Sequence, residues 1–355
     1  MTTAHINRIA TAVPPYDIHG AFVRFARTLL EERRTKALFD RMVDKAHISH
    51  RYAVFPPALD PEGASVDETR VYCRDRFPST AERMRLYEEH APALAERAVR
   101  GLELGDEARR ITHVIVTSCT GMYAPGIDLD LVSRCGLDPS VERTMVGFMG
   151  CYAAMNALKL ARHVVRSEPT SRVLLVNLEL CSLHLQQTTS IEQMLSFLVF
   201  ADGCAASVVS ADPVGLSLDR FHAAVLPNTA GLITWNIRDL GFDMFLSGGV
   251  PPAIRAGLGE GASAILDGAK PADIDRWAVH PGGRSVLDAV EHGLGLDAEA
   301  LSHSRSVLDR FGNMSSATVM FVLQSVLAAA ASGERGCAMS FGPGLTAETM
   351  LFSKA

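Results

Sequence analysis

The sequence has no cysteine pair in CxxC spacing, and its seven cysteines are scattered and odd in number. Neither a disulfide framework nor a zinc or other metal site is indicated. No apolar run reaches the roughly 20 residues a membrane helix needs. Residues 1–9 hold His5, Asn7 and Arg8 where a secretory signal would have an apolar core. Short-period repeats and low-complexity segments are also missing. Basic residues are outnumbered, 34 to 40, for a formal charge of −6, which argues against a general nucleic-acid binder. A cytoplasmic protein without a membrane span is expected.

What the chain has is apolar content. Hydrophobic residues make up 48% and charged residues 21% of its 355 positions, the balance of a globular protein. This length can bury a large core, as one big domain or two tightly fused halves. Residues 6–13 read as a first strand, stopped by Pro14-Pro15. From about Gly20 to Arg110 the chain reads as helical and charge-rich, with residues 31–34 and 82–85 as solvated faces. Residues 111–117, 172–177 and 205–209 then read as buried strands. An apolar helix from Cys151 falls between the first two, which indicates a parallel or mixed sheet with helices on its faces. Residues 276–280, an apolar helix from Gly312-Asn313 to about Ala331, and residues 336–341 repeat the theme. The chain therefore divides into two similar halves, 1–212 and 213–355, joined near Asp212-Pro213.

The stretch 146–160 stands apart. Gly147 and Gly150 permit a tight turn, and from Tyr152 the residues are helix formers, apolar on nearly every face until Lys159. Cys151 thus sits in the first turn of a helix buried at that end, beside unpaired N–H groups and a partial positive charge. Such a setting favours thiolate, the nucleophilic form. A small core cysteine is the plainer alternative. Two more polar residues fall at the ends of buried elements: His280, before Pro281-Gly282-Gly283, and Asn313, which could be an ordinary N-cap. Together the three offer a sulfur to attack an acyl group and two donors for a developing oxyanion. Arg41 and Lys45 are four apart and share one helix face. They could grip a phosphate-bearing ligand or be a simple exposed pair.

Gly150-Cys151, the His280-Pro281-Gly282-Gly283 turn, Gly312-Asn313-Met314-Ser315-Ser316-Ala317 and the closing Phe341-Gly342-Pro343-Gly344-Leu345-Thr346 follow one another in a familiar order. In these motifs the chain resembles the type III polyketide synthases, the chalcone synthase-like family on the thiolase fold. The resemblance implies a layered αβαβα architecture of two similar halves. It implies coenzyme A thioesters as substrates, no cofactor, and a homodimer with the Met122–Gly126 loop near both the subunit contact and the cavity. Cys151 would carry the acyl chain, while His280 and Asn313 would bind thioester carbonyls and the enolate left by malonyl decarboxylation. Phe200 would stand as a gate between coenzyme A tunnel and cavity, or else be an ordinary core phenylalanine. Arg41 and Lys45 match phosphate-holding positions, and Leu38 occupies a third position of that group. Cys119, Trp235 and Met244 replace the threonine, glycine and phenylalanine of plant chalcone synthases. Residues 120–126 and 179–184 are instead similar to bacterial alkylpyrone and alkylresorcinol synthases. That likeness implies Thr120, Ala124 and Cys181 as small tunnel-lining residues that admit a fatty chain. Each buried methylene contributes about 0.8 kcal/mol, so a long tunnel selects long acyl groups. Trp235 would close the side used by aromatic starters.

The expected enzyme loads a medium- or long-chain fatty acyl-CoA on Cys151, extends it by decarboxylative condensation with malonyl-CoA, and releases an alkylpyrone or alkylresorcinol. Other readings stay open. Cys119 has a counterpart in naphthalene-forming synthases that use malonyl-CoA alone. A ketoacyl-acyl carrier protein synthase III-like enzyme uses the same three residue types. A Cys-His-Asn hydrolase has the right chain order, although the flanks of Cys151 lack the papain-like signature. A non-catalytic acyl-binding scaffold would be labelled without turnover.

Overall fold

The computed structural model describes residues 2–74 and 76–355. The chain opens with β1 (His5–Ala12), β2 (Tyr16–Asp17), α1 (His19–Leu29), α2 (Arg33–Ala46), β3 (Tyr52–Ala53) and the long α3 (Thr80–Arg100). A reciprocal capping box starts α3: the Glu82 N–H donates to the Ser79 hydroxyl and the Ser79 N–H to the Glu82 carboxylate. Next come β4 (His113–Ser118), α4 (Ile127–Arg134), β5 (Glu142–Gly147), α5 (Ala153–Ser167), β6 (Val173–Leu180), α6 (Ile191–Val199) and β7 (Asp202–Ser210). The remainder holds β8 (Leu216–Ser217), β9 (Arg220–Val225), a hairpin of β10 (Ile233–Arg238) and β11 (Gly241–Leu246), and α7 (Val250–Ile265). It ends with β12 (Arg276–Val279), α8 (Arg284–Leu294), α9 (Ser302–Phe311), α10 (Thr318–Ala329), β13 (Arg335–Gly342) and β14 (Thr346–Ser353).

Two sheets form the frame, in the orders β5-β4-β6-β7-β1-β8 and β12-β13-β14-β9. In the first, β4 runs parallel to β6, and β7 lies antiparallel between β6 and β1. In the second, β12 runs parallel to β13, and β14 lies antiparallel between β13 and β9. The halves therefore repeat one topology, with α5 and α10 as the equivalent crossover helices. Both helices lie between the sheets. Met155 and Leu158 of α5 share one apolar cluster with Val319 and Met320 of α10, Leu175 of β6 and Ala338 of β13. Alternate residues of the same strands face outward: Leu174, Val176 and Leu178 pack under α3, while Cys337 and Met339 pack against α8. Strands buried on both faces explain the continuous apolar runs. The layered thiolase-like arrangement expected from the sequence is the one found.

Three local expectations are corrected. The described residues of 47–79 are not helical; among them are only β3 and isolated bridges, because Pro56, Pro57, Pro61 and Pro78 break any helical run. Val146 and Gly147 belong to β5, an edge strand exposed over most of its length, and not to a turn. Chain beyond Phe341 returns as β14, which its Thr346, Glu348 and Thr349 disguised. Buried Glu348 there accepts from Asn156 (3.0 Å) and pairs with Lys159 (2.9 Å), both on α5.

Candidate active site

Cys151 lies in a single 3-10 turn, Gly150–Tyr152, that feeds α5. The turn requires its glycine. Gly150 has φ +73°, and a Cβ there would meet Cδ of Pro343 at 2.2 Å. The closing glycine-proline motif is thus pressed against the nucleophile's turn. His280 follows β12, with its N–H donating to the Met339 carbonyl at 2.7 Å. Its ring is buried, and among the described residues neither ring nitrogen has a hydrogen-bond partner. Asn313 is fixed on both sides. Its N–H donates to Val199 (2.7 Å), and its carbonyl accepts from Ala201 (2.9 Å). The side-chain Oδ1 accepts from the Ser315 N–H at 2.8 Å, and Nδ2 donates to the Gly282 carbonyl at 3.2 Å. Asn313 therefore does cap the turn before α10, and that bond leaves one carboxamide N–H for another acceptor.

These three residues line one cavity with Phe200, Cys119, Thr120, Cys181, Trp235 and Met244. The cavity and the open space at its mouth together hold about 820 Å³, and among the described residues no Lys, Arg, Asp or Glu lines it. Ile233, Leu246, Val250 and Val286 make much of the remaining wall. The hairpin β10–β11 is tied over it by Trp235 Nε1, which donates to the Cys119 carbonyl at 2.8 Å. His184 fastens the same hairpin, accepting from the Phe242 N–H (3.0 Å) and donating to the Thr120 carbonyl (2.7 Å).

Electrostatics here are those of a dry site. Burial pushes the Cys151 thiol up to about 12, against the opposing pull of the Ser315 hydroxyl, 3.7 Å from the sulfur, and the Asn313 amide. Burial likewise holds the His280 imidazole down at about 3. Burial thus opposes the thiolate that a helix mouth favours. A proton moved from sulfur to imidazole leaves the cavity's net charge unchanged, and the resulting ion pair attracts strongly where water is excluded. Behind the sulfur, Glu179 is wholly buried and burial raises its carboxyl to about 7. It accepts from the Cys119 N–H (2.9 Å), the Thr120 hydroxyl (2.8 Å) and the Ser316 hydroxyl (2.6 Å).

Ala124, expected in the tunnel, is exposed and lines a separate surface concavity with Met122, Leu129 and Met145. Arg41 and Lys45 are exposed on α2, outside the cavity, on a helix that packs against α6 just before Phe200. Leu38 is exposed as well. Ser315, Glu179 and His184 stood inside quoted motifs, but nothing in their spacing signalled contact with the site. Among the described residues no group of His, Cys, Asp and Glu could hold a metal, and no helix is long and apolar enough to cross a membrane.

A thiol, an imidazole and a carboxamide at the inner ends of two related halves define a thiolase-fold condensing enzyme. The chain belongs to the chalcone and stilbene synthase family: the N-terminal domain of that family matches residues 3–213 and the C-terminal domain residues 218–354. It is a type III polyketide synthase, an acyltransferase of the decarboxylative Claisen class. The alpha-pyrone synthesis polyketide synthase-like Pks18 of Mycobacterium tuberculosis is 36% identical over 370 aligned residues, covering 99% of this chain and 91% of that protein. PKS-I of the brown alga Ectocarpus siliculosus superposes with a TM-score of 0.89 at 31% identity, covering 100% of this chain and 99% of that one. The C-terminal type III polyketide synthase domain of Steely1, a type I/III hybrid from Dictyostelium, gives 0.90 at 25% identity and 99% coverage of both.

Proposed function

We propose that the enzyme loads a medium- or long-chain fatty acyl-CoA on Cys151 and extends it with malonyl-CoA to an alkylpyrone or alkylresorcinol. The observation that carries this reading is the uncharged, largely apolar cavity around Cys151, His280 and Asn313. Sulfur attacks the starter carbonyl as its proton passes to His280; the C–S bond to coenzyme A breaks, and the leaving thiolate takes that proton. Malonyl-CoA then loses carbon dioxide, and the electron pair of the broken C–C bond becomes an enolate. The His280 and Asn313 N–H groups hold the enolate oxygen. Among the described residues no charged side chain lines the cavity to compete for that oxygen, and exclusion of water protects the carbanion. Its carbon attacks the Cys151 thioester, forming the new C–C bond and releasing the sulfur. Thr120 and Cys181 leave room for an alkyl chain. Arg41 and Lys45 would hold coenzyme A phosphates outside the Phe200 gate. No cofactor enters any step.

The sulfur of Cys119 accepts the Gly150 N–H at 2.9 Å, which ties it to the nucleophile's turn, and burial holds its thiol protonated; neither feature by itself calls for a malonyl-only starter. Mass spectrometry of products from malonyl-CoA with acyl-CoAs of graded length, and with none, tests the starter. Highest yield from fatty starters supports the reading, and equal yield from malonyl-CoA alone replaces it. Preference for carrier-bound over free malonyl would favour the ketoacyl synthase alternative. Homodimerisation through the β5 edge and the Met122–Gly126 loop, and a cytoplasmic setting that keeps seven free thiols reduced, complete the proposal.

A further inference from the structure

Arg51 is among the most buried side chains of the protein, yet among the described residues no carboxylate forms an ion pair with it. Buried guanidinium groups are ordinarily paired. This one is used on the backbone. Nη1 donates to the carbonyls of Phe197 (2.8 Å) and Phe200 (2.6 Å), and Nε donates to Nδ1 of His19 (3.0 Å). The guanidinium also lies over the Phe22 ring, 4.7 Å from its centroid.

Phe197 and Phe200 flank the C-terminus of α6, where helix carbonyls lack intrahelical donors. The carbonyl between them, Val199, accepts from the Asn313 N–H. Phe200 and Asn313 pair as a parallel bridge, with the Ala201 N–H returning to the Asn313 carbonyl. One short ladder thus holds the gate phenylalanine and the carboxamide together, and Arg51 clamps the α6 side of it. Gly312 shows how close the clamp is: a Cβ there, at φ +69°, would lie 2.8 Å from Cγ of Arg51 and 2.9 Å from the Val199 carbonyl. The glycine before Asn313 is required because the stem of Arg51 passes beneath it.

We propose that Arg51 is a positioning residue for condensation, setting Phe200 and Asn313 in register at the cavity mouth. This rests on the reading that Asn313 holds the enolate and Phe200 closes the cavity. Loss of the clamp leaves the ladder tethered by its own backbone bonds alone, and a small misplacement of an oxyanion donor costs rate rather than binding.

The test uses the full chain with Arg51→Met, and with Arg51→Lys, which keeps a charge but ends one bond short of Nη1. Malonyl-CoA decarboxylation is measured per mole of Cys151 that accepts a starter acyl group, well below the unfolding temperature. For Arg51→Met we expect kcat per acylated site to fall about tenfold or more, with malonyl-CoA KM within about threefold and faster hydrolysis of the bound acyl group past Phe200. Arg51→Lys should fall between this and wild type, and it carries the test should Arg51→Met not fold. Wild-type kcat per site in the variants, with the loss confined to thermal stability, overturns the assignment, as does a rise in KM at unchanged kcat. A wild-type protein that does not decarboxylate malonyl-CoA refutes the proposed function instead, so the two failures are distinct.

Discussion

Cys151 and His280 are each disfavoured as ions by burial, and each can supply the counter-charge the other lacks. Their reactivity is therefore expected to be mutual. Replacing His280 by Gln should slow alkylation of Cys151 by iodoacetamide at neutral pH by about tenfold or more; equal rates in the two proteins would show that the helix mouth activates the thiol unaided. Glu179 makes a different prediction. Its carboxyl titrates at about 7 in the fold against 4.5 ordinarily, so between these values the unfolded chain releases a proton that the native state keeps. Stability should fall as pH rises from about 4.5 through about 7, by about 3 kcal/mol in all, and then level off. Glu179→Gln removes the titrating group, and urea unfolding across that range should lose this component of the slope. An unchanged slope would mean that Glu179 is ionised in the native state at low pH.

At the scale of elements, the nucleophile's turn and the closing motif are one structure. Gly150→Ala adds a methyl 2.2 Å from Pro343 at a left-handed φ and should destabilise by about 2–5 kcal/mol. Gly147→Ala, whose Cβ would meet only the Ser118 carbonyl at 3.9 Å, should cost under about 1 kcal/mol. Thermal denaturation of the pair checks both, and equal losses would contradict this account of the turn. The same elements explain what could be read in advance. β4, β6, β7, β12 and β13 are apolar on both faces and were legible as strands. β5 has an exposed edge and β14 carries a buried Glu348 paired across the halves, so neither leaves a local hydrophobic signature. Prolines in residues 47–79 were overridden by the charge-rich composition around them.

At the scale of the whole molecule, α5 and α10 share one core between two sheets, so Cys151 and Asn313, at the starts of their respective crossovers, face a common cavity. His280 joins them because β12 lies next to β13. The triad was legible because each member sits in a glycine-bounded motif at an element's end. Arg51, Ser315 and Glu179 were not, since their roles depend on partners 149, 164 and 137 positions away in the chain. Ala124 lies outside the cavity for another reason: its motif matched, but its side of the loop faces outward. Met122, Leu129 and Met145 are exposed there beside the edge strand β5, and we expect two copies to meet on this face. Sedimentation velocity should give a dimer that Met145→Glu shifts toward monomer; an unchanged dimer would place the contact elsewhere.

The most direct test compares the wild type with Cys151→Ala on fatty acyl-CoA plus malonyl-CoA, following polyketide by mass spectrometry and carbon dioxide release in parallel. The account predicts pyrone or resorcinol masses that track the starter for wild type, and none for Cys151→Ala, which should still release carbon dioxide through His280 and Asn313. Polyketide formation by Cys151→Ala at the wild-type rate would contradict it.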